Sequence, residues 1–337
     1  MAKSKHLRHG IVGLGIGRWH MAEFSKIVGV KITAVADVDA SRLDAARKDN
    51  PDLKLYDHYE ALCADPEIDS VSICLPNALH APAAVLALKE GKHVLCEKPL
   101  ADTLANGEKI VKQAAASGRV AMIAMKLRFG PEATFLRRQV ESGKFGQVYY
   151  SYSTYLRGPG GIPGLGGWFT TKKMSGGGAL IDNGVHLLDL QWYLMGCPEP
   201  VAAMGQVRAD FGPQIDERFD VDDFGAGCIR FRNGALAQLD NAWASMVPAE
   251  VIGLRVLGQK GGGTLWPFTV VQGDARGAKV VTPPAEKLKA KNQFQIFAEC
   301  VLKGTPCPAP VSQGLTVLKM LDALYKSARS GRSVAIS

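Results

Sequence analysis

The chain has 337 residues, 47% of them hydrophobic and 21% charged, enough for two domains with full hydrophobic cores and unlike a disulfide miniprotein, a fibrous chain or a disordered one. Forty Lys and Arg against 32 Asp and Glu leave a net charge of +8, but the basic residues form no block and no nucleic-acid-binding motif occurs, so no nucleic acid partner is expected. No run of about 20 apolar residues occurs, and the basic first ten residues lead into no apolar segment. Cys63, Cys74, Cys96, Cys197, Cys228, Cys300 and Cys307 form no C-x-x-C pair and have no His at ligand spacing. The expectation is a reduced, cytoplasmic protein without a membrane anchor or a metal.

In chain order, short apolar runs at 9–13, 31–36, 53–56, 70–75, 93–96 and 120–124 alternate with amphipathic segments. Helical spacing is clearest at 78–89, stopped by Gly91, and at 103–117, stopped by Gly118. Six such β–α units predict a doubly wound parallel sheet of α/β class over residues 1–124. From Met125 the texture changes. A helix over 131–141 with proline in its first turn precedes strand-like runs at 148–157, 226–232, 235–243 and 251–257, two of them joined by the turn dipeptide Asn233-Gly234. Helices over 292–302 and 313–328 close the chain. Residues 125–337 therefore read as a second domain of α+β type with a large, mostly antiparallel open sheet. Thirty-seven glycines are about 11% of the chain against a usual ~7%, and they concentrate at 13–17 and 158–178.

Gly13-Leu14-Gly15-Ile16-Gly17-Arg18 follows the first strand and opens a helix, where glycines let backbone N–H groups approach a pyrophosphate. Its G-x-G-x-G spacing is one residue shorter than the usual fingerprint, so the turn is tighter or the third glycine takes a shifted role. Asp37 ends the second strand, placing a carboxylate for ribose hydroxyls and against a 2′-phosphate. With Asp39 it favours NAD over NADP, an exclusion that Arg18 and Arg42 soften. Glu97-Lys98-Pro99 follows directly on the strand ending at Cys96, at the carboxyl edge of the sheet, where a lysine can hold a hydroxyl and help move its proton. Asp182 and His186 are four apart, which on a helix gives them one face and lets the carboxylate tune the imidazole. An isolated His in a Leu-rich stretch is usually a satisfied core residue. The preceding Gly176-Gly177-Gly178 argue instead that backbone comes close to a ligand or to another chain segment. Arg157 and Trp168, with Gly166-Gly167 in the same glycine-rich segment, are candidates for lining a substrate pocket, a tryptophan packed over the loop being the equal alternative.

Together these residues resemble the Gfo/Idh/MocA oxidoreductases, which include glucose–fructose oxidoreductase and inositol 2-dehydrogenase. The resemblance rests on the glycine loop with Arg18-Trp19-His20, on Ala36-Asp37, on Leu75-Pro76-Asn77 with His80, on Gly91 through Leu100, on Arg128-Phe129 with Pro131, and on Gly176 through Asp189. It implies an NAD(P)-binding Rossmann domain, a substrate domain whose open sheet forms homodimers or homotetramers, and hydride transfer between a secondary alcohol of a sugar or polyol, a pyranose or cyclitol, and the nicotinamide. It also implies Lys98, Asp182 and His186 as catalytic residues that touch substrate: His186 takes the hydroxyl proton, Asp182 partners it, and Lys98 orients and stabilises the oxygen, the roles of Lys98 and His186 being exchangeable. Ile16 and Gly17 are implied at the pyrophosphate beside Gly13 and Gly15, and Asp37, with Arg42 near it, at the ribose. Leu75, Pro76, Asn77, His80, Glu97 and Lys98 are implied at the nicotinamide half. A cis bond is expected before Pro99. Lys126 stands where relatives often carry a smaller polar residue. An NAD-using glycosidase and a non-catalytic dinucleotide-binding sugar sensor are the alternative readings; Lys98, Asp182 and His186 together argue against the sensor.

Overall fold

The computed structural model describes residues 6–164 and 167–337, so residues 1–5 and the Gly166 of the glycine-rich segment lie outside the described residues. The chain forms two compact units, one reaching to Ala124 and taking in Asn292–Leu315, the other made of Met125–Lys291 and Thr316–Ser337.

In the first unit β1 (Leu7–Val12), β2 (Val30–Ala36), β3 (Lys54–Tyr56), β4 (Ser70–Ile73), β5 (His93–Cys96) and β6 (Ala121–Ile123) form a parallel sheet in the order β3-β2-β1-β4-β5-β6. The crossovers carry α1 (Gly17–Phe24), α2 (Ala40–Asp49), α3 (Tyr59–Ala64), α4 (Asn77–Lys89) and α5 (Leu104–Ser117). The strand order reverses between β1 and β4, the place where ligands of doubly wound sheets bind. Helices on both faces explain why β4 is buried at all four positions and why these strands read as apolar runs rather than alternating ones. Thr103 Oγ1 caps α5 by accepting the Asn106 N–H, and Gly118 ends that helix in the left-handed conformation.

His93 gives this sheet a pH dependence. Its Nδ1 accepts the Val120 N–H at 2.9 Å, and burial, with Arg119 nearby, lowers its pKa from 6.5 to about 4. Between those values the unfolded chain binds the extra proton, so this contribution is complete above about pH 6.5 and is lost as pH falls toward 4. At pH 5 the loss is on the order of 1 kcal/mol after a discount for partial exposure. His93→Asn keeps an acceptor and removes the titration, so its melting temperature is expected to fall less between pH 7 and pH 5 than that of the wild type.

The second unit opens with α6 (Pro131–Glu141) and carries nine strands: β7 (Val148–Leu156), β8 (Pro200–Arg208), β9 (Phe224–Phe231), β10 (Leu236–Ala242), β11 (Val251–Gly258), β12 (Gly261–Leu265), β13 (Thr269–Asp274), β14 (Gly277–Val280) and β15 (Val334–Ala335). Their order is β14-β13-β12-β11-β7-β10-β9-β8-β15, antiparallel except where β7 meets β10. Gly234 holds the expected hairpin turn between β9 and β10 at φ +84°, with Asn233 Oδ1 accepting the Ala235 N–H. Cross-strand partners Met204, Cys228, Gln238, Tyr152 and Arg255 form one row, half-buried to exposed, while Ala203, Ile229, Ala237, Ser151 and Val256 next to them are buried and face the core. α7 (Lys172–Ser175), α8 (Val185–Leu194) and α9 (Gly212–Ile215) also belong to this unit.

β12 was not legible as a strand because it reads Gly261-Gly262-Gly263-Thr264-Leu265. A Cβ on Gly263 would lie 2.3 Å from Leu136 Cδ2, so the glycine is what lets α6 press onto the sheet. α10 (Gln293–Lys303) and the start of α11 (Val311–Ser330), which follow the second-unit strands β7–β14 in the chain, pack with the first unit. There Phe294 and Phe297 are fully buried, Ile123 N–H donates to the Ala309 carbonyl at 2.9 Å, and the free edge of β6 is thereby covered. No helix among the described residues is long and apolar enough to cross a membrane.

Candidate active site

The dinucleotide end is built on the carboxyl ends of β1, β2, β4 and β5. After β1 the chain turns through Gly13 at φ +88°, where an added Cβ would lie 2.4 Å from the Cys74 carbonyl oxygen, so both conformation and space exclude a side chain. A Cβ on Gly17 would meet Ile11 Cγ2 at 2.7 Å, whereas nothing lies within 4 Å of one on Gly15. The third glycine thus has the shifted role, seating α1 on β1, and the second is the one left open. No side chain caps α1, and Ile16 before it is 51% exposed. The positive end of this helix, beside the open Gly15, fits a pyrophosphate.

Asp37 is buried beside this turn. Its Oδ2 accepts the Leu14 N–H at 2.6 Å and lies 3.5 Å from Arg42 Nη1, while Oδ1 accepts the Asp39 N–H at 2.9 Å. The carboxylate therefore braces the glycine loop, and Oδ1 retains acceptor capacity that suits a ribose hydroxyl. Arg42 is shared with Asp39 at 3.4 Å.

Leu75 and Pro76 are half-buried and lead into α4, where Asn77 is buried. His80 is fully buried with its ring nitrogens 2.8 Å from the Leu75 and Pro99 carbonyl oxygens, and burial lowers its pKa against the opposing pull of those carbonyls. It ties the Leu75 segment to the turn after β5, a bracing role the sequence did not show. In that turn the Lys98–Pro99 peptide is cis, as expected. Glu97 reaches in two directions: Oε2 accepts the Lys98 N–H at 3.1 Å, and Oε1 lies 2.9 Å from His20 Nε2.

In the second unit Asp182 lies on a π-helical turn, Leu180–Gly184, that runs directly into α8 and His186. The regular helical face expected from the four-residue spacing is therefore replaced by a wide turn, a form frequent at functional sites. Asp182 Oδ2 accepts the Trp243 Nε1–H at 3.0 Å. Trp243 is fully buried and meets Phe219 edge-on at 6.3 Å. Sequence reasoning missed it, because an indole closing an apolar strand looks like ordinary core; only the need of a buried Trp N–H for an acceptor was a signal.

The three glycines before this turn admit another chain segment. A Cβ on Gly178 would lie 1.7 Å from the Asp222 carbonyl oxygen, and one on Gly177 would lie against the Tyr325 hydroxyl. Buried Asp222 accepts N–H groups of Gly178 and Leu180 and the Tyr325 O–H, each at 2.8 Å. Arg157 turns back onto Tyr155, its Nη2 3.2 Å from the hydroxyl, and Trp168 stacks on Phe169 at 3.8 Å, so both take part in packing the glycine-rich segment. Arg128 and Asp189 make a bidentate pair at 2.7 and 2.5 Å, both almost wholly buried, which ties the turn Lys126–Phe129 to α8. Lys126 in that turn is exposed. Among the described residues no group of three or more His, Cys, Asp or Glu is placed to hold a metal ion.

An open glycine turn with a carboxylate beside it on a doubly wound sheet, followed in the same chain by a second unit built on a large mixed sheet, is the architecture of a dinucleotide-dependent oxidoreductase. Residues 7–125 match the NAD-binding Rossmann fold, and residues 137–336 the C-terminal α/β domain, of the Gfo/Idh/MocA oxidoreductase family, to which the chain belongs. It is 29% identical over 349 aligned positions to D-glucoside 3-dehydrogenase of Escherichia coli K12, covering 99% of this chain and 98% of that one. It is 28% identical to myo-inositol 2-dehydrogenase of Thermotoga maritima, with 98% of each covered. Among solved structures, aldose-aldose oxidoreductase from Caulobacter crescentus, complexed with glycerol, superposes with a TM-score of 0.83 at 27% identity, covering 98% of this chain and 99% of that one.

Proposed function

We propose that the protein is an NAD-dependent dehydrogenase acting on a secondary alcohol of a sugar or polyol, a pyranose or cyclitol. The observation that carries this reading is the Glu97-Lys98-Pro99 turn, clamped at the carboxyl edge of a sheet whose glycine loop is open. When bound, the dinucleotide supplies the nicotinamide carbon that exchanges hydride with the substrate. Lys98 orients the substrate hydroxyl and stabilises negative charge on its oxygen. His186 takes the hydroxyl proton, and Asp182, fixed by the Trp243 indole, partners the imidazole. The names of the two relatives, one acting on a glucoside and the other on a cyclitol, support this substrate class. Assembly of copies through the outward row from Met204 to Arg255 belongs to the same reading.

The test is a screen of sugars, cyclitols and sugar acids with NAD and NADP in parallel, followed by the absorbance of the reduced cofactor. Turnover with NAD is expected to exceed that with NADP by about tenfold or more, and Asp37→Ala to narrow the ratio by removing the carboxylate that repels a 2′-phosphate. Equal or faster turnover with NADP overturns the cofactor assignment. Tight NAD binding without turnover of any substrate points to a sensor, and free sugar released without net NADH points to a glycosidase.

A further inference from the structure

Behind Glu97 the first unit carries a row of polar side chains that hydride transfer does not itself require. Glu97 Oε1 lies 2.9 Å from His20 Nε2, His20 Nδ1 3.0 Å from Ser72 Oγ, Ser72 Oγ 3.0 Å from His9 Nε2, and His9 Nδ1 2.7 Å from Ser70 Oγ. The groups come from the end of β5, from α1, from β1 and from β4, and both histidines and both serines have no exposure to solvent. Aromatic rings wall them in: His9 lies 4.1 Å from Phe24 and 6.0 Å from Phe297 between ring centroids, and His20 lies 4.8 Å from Phe294.

Counting protons gives the row a direction. An ionised Glu97 only accepts, so His20 Nε2 donates to it, and with the ring of His20 uncharged its Nδ1 accepts the Ser72 O–H. Ser72 has then used its proton and accepts from His9 Nε2–H, and His9 Nδ1 accepts the Ser70 O–H. Burial, with His20 nearby, lowers the pKa of His9 to about 3, which keeps that ring neutral as the count requires. Every donor points toward Glu97.

We propose that this one-way chain is a positioning device for the reactive lysine: His20, held in its Nε2–H form by Ser72 and His9, fixes Glu97 as an immobile carboxylate, and Glu97 fixes the Lys98 N–H. The proposal rests on the reading of Lys98 as the group that orients the substrate oxygen. Polarity belongs to the chain as a whole, because hydrogen bonds in series polarise one another in a dry interior. In Glu97→Gln the fully satisfied arrangement keeps an oxygen on the Lys98 N–H and turns the amide N–H toward His20. His20 then donates from Nδ1 to Ser72, Ser72 donates to His9 Nε2, and His9 carries its proton on Nδ1.

Nitrogen-15 NMR of the histidine-labelled full chain tests the direction, with His9 and His20 assigned by single substitution. Both rings are expected as neutral Nε2–H tautomers at pH 7, and His9 as the Nδ1–H tautomer in Glu97→Gln although the two residues do not touch. An imidazolium at His20, the other tautomer in the wild type, or an unmoved His9 in the variant overturns the proposal. Ser72→Ala breaks the chain at its middle and is expected to lower kcat by about ten- to a hundredfold with the NAD dissociation constant moved less than about twofold, while Ser72→Thr restores kcat. Unchanged kcat, or parallel loss of kcat and NAD affinity that threonine does not rescue, overturns the positioning role. If the wild type turns over no sugar, the dehydrogenase reading fails, and the tautomers still decide the direction of the chain.

Discussion

Lys98→Met and His186→Asn are each expected to lower kcat by about 10²- to 10⁴-fold while the dissociation constant for NAD changes less than about threefold. The upper part of that range is what a positioned proton-transfer group or a preorganised charge on a developing alkoxide contributes. Methionine keeps most of the lysine's volume and loses its charge; asparagine keeps a hydrogen-bonding side chain and loses the proton transfer. The glycine turn, the open Gly15 and the Asp37 carboxylate are untouched by either change, so the dinucleotide unit should bind as before. Stopped-flow turnover on the best substrate of the screen, with calorimetric titration of NAD, reads both quantities. Full activity in both variants removes these residues from the chemistry, and loss of NAD affinity in Lys98→Met places that side chain in cofactor binding alone.

Asp189→Ala is expected to destabilise the second unit by about 3–5 kcal/mol, because it strands a guanidinium in the interior. Arg128 and Asp189 are each about 1% exposed and joined by two charge-assisted hydrogen bonds, and the Arg128 guanidinium also lies 5.0 Å from the centre of the Tyr193 ring. The cost lies in desolvating one uncompensated charge rather than in the attraction lost. The double change Arg128→Met with Asp189→Leu is therefore expected to recover most of the loss, to within about 1–2 kcal/mol of the wild type. Urea denaturation of the three proteins measures this. A double variant as unstable as Asp189→Ala would assign the loss to packing around α8.

The parts of the fold that the sequence shows are those where one local cause suffices. Apolar runs buried between two helical layers made β1, β4 and β5 legible, Pro131 marked the start of α6, and Asn233-Gly234 marked the β9–β10 turn. β12 was hidden because its Gly263 answers to Leu136, a residue more than a hundred positions away. Periodicity showed α10 as a helix but carries no information about which sheet its apolar side meets, so its place in the first unit was invisible. The candidate site divides in the same way. Asp37, Lys98, Asp182 and His186 stand next to strand ends or glycines that local rules single out. Trp243, His20 and Asp222, which hold three of the key segments in place, are single residues in unremarkable surroundings, and each acts on a partner at least 40 positions distant in the chain. The glycines of 176–178 show how a correct observation can carry two causes: close approach was legible, but Asp222 and Tyr325 were what approached.

The placement of α10 separates the order in which this protein is made from the order in which it can be completed. All six strands of the first sheet have been synthesised by Ile123, yet Phe294 and Phe297, which seal His9 and His20 from water, come about 170 residues later. At ~5–20 residues per second a ribosome needs roughly ten to thirty seconds to reach them. During that interval the nascent sheet shows water an unfinished flank at Phe24. A chain released at Ala124 would keep that flank permanently, so it lacks part of its own core.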